Sequence, residues 1–317
     1  MTTSAAVDQF MPLAVQTLVG AGEADFDLYV HSKGGHPLLF RSRSVPLADD
    51  DLQRLIRSGV RTVLIRYDDR MAYEQHLHDR LTDCDDLSLS GKYALLRETA
   101  RLVFESALRG DSVAGMVGVA EQFGTQMADV LCDRTQTLRG IFDLMLHDYC
   151  TFTHSANVAT YCITLAQTLG ISDRAHLAQI VTGALLHDIG KRKISKRVLN
   201  KPKSLSPADR EAIQRHPQIG FEELSRDRKL TWSQLMMVYQ HHERLDGCGY
   251  PVGIVDDEID PWAKICAVAD VFDALTCDRP YRKAMTVQEA CIFLEQRIGH
   301  SFDQEIVRCL TTMMQPA

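Results

Sequence analysis

A histidine followed directly by an aspartate, His187-Asp188, closes the apolar run VTGALLHDIGK, where Gly190 permits a sharp exit and Lys191 follows three positions after Asp188. Adjacent side chains on a helix point about 100° apart, so a His-Asp pair converges on one ion only near an element end or when ligands arrive from several helices. Taken alone, the pair would serve equally well as a helix C-cap beside an uninvolved histidine. A second constellation accompanies it: His241-His242-Glu243 ends the stretch WSQLMMVYQ and leads into Arg244-Leu245-Asp246-Gly247-Cys248-Gly249-Tyr250-Pro251, a loop holding two glycines and a proline. Paired neutral imidazoles at a helix end are good ligands for iron, manganese or zinc. With Asp270 in ICAVADVFDAL, the set mixes nitrogen and oxygen donors.

These residues must be positioned by helices. From Lys92 onward a 3.6-residue periodicity dominates, with Leu95, Leu102, Val103 and Leu108, then Ile141, Leu144 and Met145, then Ile163, Leu165 and Leu169 as buried stripes. Ahead of it lies a different pattern. FDLYV (26–30) and PLLFR (37–41), separated by Lys33-Gly34-Gly35, predict a hairpin. PLADDDLQRLIRS (46–58) predicts a helix with Asp49, Asp50 and Asp51 in its first turn and Gly59 at its end, and VRTVLIRY a strand ending at Tyr67. The turn-rich stretch from Asp83 to Ser90 marks a boundary, which gives a small α/β module over 1–85, a helical linker over 86–135 and a helical domain over 136–317.

Composition narrows the function classes. A chain of 317 residues, 45% hydrophobic and 7% aromatic, suits about two globular domains at ~150 residues each and excludes a fibrous or disordered protein. No apolar run approaches the ~20 uncharged residues of a membrane span, and MTTSAAVDQFMPLAVQ lacks the basic start of a secretory signal. The expectation is a cytoplasmic protein without membrane insertion. Nine cysteines without a CxxC pair argue against zinc knuckles and a disulfide framework. A net charge of −7 disfavours a nucleic-acid polymer as partner, yet seven basic residues between Lys191 and Lys203 could steer a small anion, or form a solvated face.

Several stretches together resemble the HD-GYP domain, a branch of the HD-superfamily metal-dependent phosphohydrolases: FTHSANV around His154, LLHDIGK at 185–191, VLNKPKSLSPADREAIQRHPQIG at 198–220, HHERLDGCGYP at 241–251 and ADVFDALTCDRPYRKA at 269–284. The resemblance covers roughly 136–317 in order and spacing, and none of 1–85. It implies a mainly α fold, an all-helical HD-type C-terminal domain behind the small α/β module. The implied activity is hydrolysis of cyclic di-GMP to pGpG or GMP by a hydroxide bridging two divalent metal ions, iron or manganese for preference, with zinc or nickel as substitutes. By the same resemblance His154, His187, Asp188 and Asp270 hold one ion, and Asp188, His216, His241 and His242 the other, with Asp188 bridging. Such ions would lie about 3.5–4 Å apart, lower the pKa of a bound water and neutralise charge on the phosphate oxygens.

Catalytic roles are implied for Asp188 and for Lys191, the latter on the phosphate or leaving oxygen. Arg279 and Arg282 would grip phosphate or guanine, Asp273 would orient one of these arginines, and Gly249, Tyr250 and Pro251 would shape a substrate lip. Family members with three metals carry a Glu four residues before the first ligand histidine. Here that position is Cys150, a poor oxygen-site substitute, so two metals are expected. Asp148 would face elsewhere, and Cys248 is a bystander. The alternatives to an active phosphodiesterase are a cyclic di-GMP sensor signalling through a protein partner and a hydrolase of another nucleotide, such as cyclic GMP-AMP. For 1–85, a homodimer contact, a small-ligand sensor or a dock for a signalling protein fit equally.

Overall fold

The computed structural model describes residues 9–18, 24–32, 35–82, 87, 89–109, 113–132, 151–199, 201, 204–226, 228–277 and 282–315. The chain divides into two compact units, Met1–Leu102 and Val103–Ala317.

The first unit contains a four-stranded antiparallel sheet, β1 (Phe10–Ala14), β2 (Leu28–His31), β3 (Pro37–Arg41) and β4 (Thr62–Arg66), in the order β1-β4-β2-β3. The predicted hairpin is β2–β3, and the predicted helix is α1 (Asp49–Arg57), whose first turn carries three aspartates at the positive end of its dipole. Two elements escaped the sequence reading. In β1 the central Pro12 has no N–H to give a ladder, but β1 lies at a sheet edge, where a missing N–H is tolerated. Helix α2 (Arg70–Thr82) has a faint apolar stripe, since Tyr73 and Leu77, one turn apart, carry most of its burial. The core gathers Leu13, Phe26, Leu28, Leu52, Ile65 and Tyr73. Leu95 and Leu102 of α3 (Leu89–Arg109) join it, which is why this unit extends to Leu102.

The second unit is helical apart from isolated bridges: α4 (Val113–Cys132), α5 (Thr151–Thr168), α6 (Arg174–Leu186), α7 (Pro207–Gln214), α8 (His216–Leu224), α9 (Trp232–Gln240), α10 (Pro261–Thr276), α11 (Val287–Glu295) and α12 (Gln304–Met314). Capping chemistry sets the starts. Asp173, Ser206, Thr231, Asp260, Thr286 and Asp303 each accept a backbone N–H of the following turn, and Ser206-Asp209, Thr231-Gln234 and Thr286-Glu289 are reciprocal capping boxes. At the centre is α6, buried without a break from Ile180 to Leu186, as expected of a helix covered on all sides. It packs against α4, α5 and α9, while α10 packs against α5 and α9. The chain is thus mainly helical, with a small α/β unit ahead of a helical one, as the sequence implied. No described helix is long and apolar enough to cross a membrane.

The contact of α4 with α6 depends on Gly124. A Cβ there would lie 2.5 Å from the Ala178 carbonyl oxygen and 2.6 Å from Thr182 Oγ1. Gly118, on the same helix, faces open space. Gly124→Ala should therefore destabilise the protein by about 1–3 kcal/mol through overpacking, whereas Gly118→Ala should stabilise it by about 0.5–1 kcal/mol through helix propensity. Urea denaturation of the two variants against the parent chain checks the opposite signs.

Candidate metal centre

Five helix segments deliver imidazoles and carboxylates to one buried point. His154 comes from α5 and Asp270 from α10; His216 is the first residue of α8, and His241 is the C-cap of α9, with His242 next. His187 caps α6 in helical conformation, and Asp188 (φ −98°, ψ 7°) starts a 3₁₀ turn, Ile189–Lys193. That change of helix type is what lets adjacent side chains meet one centre. Gly190 fixes where the turn lies: a Cβ on it would be 2.0 Å from the His216 carbonyl oxygen and 2.7 Å from Gly220 N, so only glycine lets the two main chains touch.

Asp188 lies in the middle, 6% exposed. Its Oδ2 is 3.7 Å from His154 Nε2 and 3.5 Å from His187 Nε2; its Oδ1 is 3.1 Å from His216 Nε2 and 3.9 Å from His241 Nε2. Asp270 Oδ1 is 3.0 Å from His154 Nε2 and 4.0 Å from His187 Nε2, and its Oδ2 is 3.9 Å from His242 Nδ1. The donors form two groups that share Asp188: His154, His187 and Asp188; and Asp188, His216, His241 and His242.

Hydrogen bonds fix which nitrogen of each ring faces inward. The Nδ1 atoms of His187, His216 and His241 lie on carbonyl oxygens of Ala184 (2.6 Å), Ile213 (2.7 Å) and Val238 (3.0 Å). A carbonyl only accepts, so each Nδ1 carries a proton, and it is Nε2 that faces the centre and offers a lone pair there whenever it is not itself protonated. His216 Nε2 and His241 Nε2 are 3.2 Å apart. His187 Nε2 and Asp188 Oδ1 are buried without a well-formed hydrogen bond. Facing lone pairs and an under-bonded buried carboxylate oxygen call for a cation, and this donor set suits a divalent metal ion.

The electrostatics agree. Burial, reinforced by neighbouring imidazoles, holds His241 well below the usual histidine range, and burial pushes His242 down to about 3 against the pull of Asp270. Burial acts the same way on His154 and His187, yet carboxylates outweigh it: Asp270 and Asp273 raise His154 to about 9, and Asp188 foremost raises His187 to about 9. Burial would push Asp188 and Asp270 up, but Lys191 and the histidines hold Asp188, and His154 foremost Asp270, well below the usual carboxylate range. Protons on His154 and His187 would do part of a cation's work here, and a metal ion held by these residues would take their place.

The family model described as HD domain matches residues 127–306, more than half of the chain. The chain belongs to the HD domain family. It is 36% identical over 171 residues to a cyclic di-GMP phosphodiesterase of Pseudomonas aeruginosa, covering 54% of this chain and 41% of that protein. It is 40% identical over 159 residues to the 3'3'-cGAMP-specific phosphodiesterase 3 of Vibrio cholerae, covering 50% of this chain and 34% of the relative. The chain thus spans well under two thirds of these relatives' lengths. Among solved structures, a HDG"Y"P protein from Bdellovibrio bacteriovorus shares the fold, with a TM-score of 0.73 at 21% identity over 97% of this chain and all of that one.

Around these two groups and Asp270, the remaining sequence expectations fall in different places. Lys191 Nζ lies 2.5 Å from Asp188 Oδ2, at the edge of the cluster. Tyr250 packs on His242, ring centroids 4.6 Å apart, and Tyr250-Pro251 is a cis peptide. Gly249 presses on the Glu243 backbone, where a Cβ would lie 2.4 Å from Glu243 Cα. Arg279, Cys150 and Asp148 lie outside the described residues. Arg282 gives Nη2 to the Ala274 and Leu275 carbonyls at the end of α10.

For Asp273, expected to orient one of the two arginines, the described partners include residues of α5, and Arg279 lies outside the described residues. Asp273 is 1% exposed, accepts from His154 Nδ1 (2.7 Å) and takes the Asn157 Nδ2 donor (2.9 Å). The reason is helical spacing, because Asp270 and Asp273, three apart on α10, point the same way, towards α5. Part of the basic run is paired: Arg192 and Lys193 share Glu223, and Lys201 meets Asp209. Asn157 and Glu243 were passed over in the sequence, although Asn157 lies three residues after His154 on one helix face and Glu243 follows the histidine pair directly.

Asp273 thus orients a donor histidine as a carboxylate. Asp273→Asn removes the charge while keeping the shape and should lower manganese affinity about 10–100-fold, the range for losing such a partner. Competition with a chromophoric chelator measures it, and unchanged affinity would refute this role.

Proposed function

We propose that this HD domain chain is a metal-dependent phosphodiesterase that hydrolyses cyclic di-GMP to pGpG, GMP or both. The carrying observation is the pair of donor groups sharing Asp188, with the His216 and His241 Nε2 atoms 3.2 Å apart and no proton assigned between them. In this reading two ions, iron or manganese, occupy the groups: His154, His187, Asp188 and Asp270 hold one, and His216, His241, His242 and Asp188 the other. The hard carboxylates and borderline imidazoles favour those metals. Similarity to the Pseudomonas cyclic di-GMP phosphodiesterase and to a cyclic di-GMP phosphodiesterase response regulator of Xanthomonas campestris, 41% identical over 147 residues, supports the substrate.

When bound, the ions supply a water of lowered pKa and neutralise charge on the phosphate oxygens. The protein's own groups do the rest. Lys191, anchored by Asp188, presents an ammonium to a non-bridging phosphate oxygen or to the leaving oxygen, where negative charge grows. Asp273 and the carbonyls of Ala184, Ile213 and Val238 hold the rings in one tautomer, so no reorganisation accompanies the reaction. Tyr250, beside His242, offers a ring face to a base, and Arg279 and Arg282 supply guanidinium groups for phosphate or guanine. A second reading, hydrolysis of 3'3'-cGAMP, draws on the Vibrio relative.

Protein purified without oxygen, loaded with ferrous iron or manganese and given either dinucleotide, should release linear product on chromatography. His241→Ala should lose both metal and activity. Lys191→Ala should keep its metal while kcat falls at least ~10²-fold. Metal-loaded parent protein yielding no product from either dinucleotide would overturn the reading.

A further inference from the structure

The loop after the ligand histidines is built on the backbone of those same residues. Tyr250 N donates to the His242 carbonyl at 3.1 Å, while its ring lies against the His242 imidazole. Beyond Pro251 the chain turns back, and the Glu243 carboxylate takes two successive amides: Val252 N at 2.7 Å on Oε1, and Gly253 N at 3.1 Å on Oε1 and 3.0 Å on Oε2. Glu243 is 3% exposed and belongs to neither donor group. A carboxylate this deeply buried is tolerable only while its oxygens are hydrogen-bonded, and its described donors are those two amides. The charge and the path of the lip therefore depend on each other.

We propose that Glu243 is a positioning residue: by clasping the Val252 and Gly253 amides it fixes the Gly249–Pro251 lip against the His242 side of the metal centre, setting the affinity for the nucleotide substrate without contributing to metal binding. The substrate half of this claim rests on the phosphodiesterase reading; the clasp itself does not. Glu243→Gln preserves size but turns one oxygen into an N–H donor that faces backbone N–H groups, and Glu243→Ala removes both acceptors.

Three measurements on the full manganese-loaded chain separate the outcomes. Amide hydrogen exchange over 249–253 should be slow in the parent and at least roughly tenfold faster in Glu243→Gln, as expected when charge-assisted bonds are lost. Metal content should stay at the parent level. KM for cyclic di-GMP should rise roughly tenfold with kcat within a factor of about two, the signature of lost substrate binding and not lost chemistry. Unchanged exchange, a loss of metal, or a fall in kcat at constant KM would each overturn the proposal; Glu243→Ala, if folded by circular dichroism, must show the same pattern more strongly. Should the parent hydrolyse no cyclic dinucleotide, the phosphodiesterase reading fails, and exchange and metal content still decide the clasp.

Discussion

A carboxylate sealed from water must be matched by positive charge close at hand, and in this protein that carboxylate is Asp188. Four histidine nitrogens lie within 3.9 Å of its oxygens, and Lys191 reaches it from the rim. Each of those imidazoles turns its outer nitrogen to a carbonyl or carboxylate that only accepts, so every inner nitrogen faces the centre, free to carry a proton or to offer a lone pair to a cation. The helical unit is arranged to hold this otherwise repulsive gathering in place. Segment ends supply most of the donors, since there the backbone leaves helical geometry and neighbouring residues can share one target. Side-chain caps at the N-terminal ends of α6, α9 and α10 fix those helices independently of the cluster.

Much of this was legible in the chain itself. His187-Asp188 before Gly190, and His241-His242 before a glycine-rich loop, announce helix ends because local backbone chemistry sets them. The helical core follows from its period. What stayed hidden depends on contacts between distant segments. Asp273 looks from the sequence like one more polar residue near two arginines, and only the packing of α10 against α5 turns it towards His154. Glu243 has the same difficulty, because its partners come nine and ten residues later and are backbone amides, which leave no residue-type signal. In the first unit β1 was concealed by Pro12, whose harmlessness is decided by strand order alone.

The two groups of donors are unequal in their surroundings. His154 and His187 sit among the carboxylates of Asp188, Asp270 and Asp273 and hold protons tightly; His241 and His242 sit among other imidazoles and shed theirs. One side of the centre is therefore richer in negative charge, the other in neutral nitrogen. Asp188 joins the two environments with one oxygen towards each.

The contact at Gly190 has a bearing on how such a centre can change over time. The segments bearing His187 and His216 meet main chain against main chain, so their separation owes nothing to side-chain size. Surrounding core residues can be exchanged, and α7 or the loops that flank it can lengthen, without altering that spacing. A substitution at the contact itself has no such latitude. The scaffold thus isolates the gauge of the site from most sequence drift and concentrates the vulnerability in a single position that carries no functional group at all.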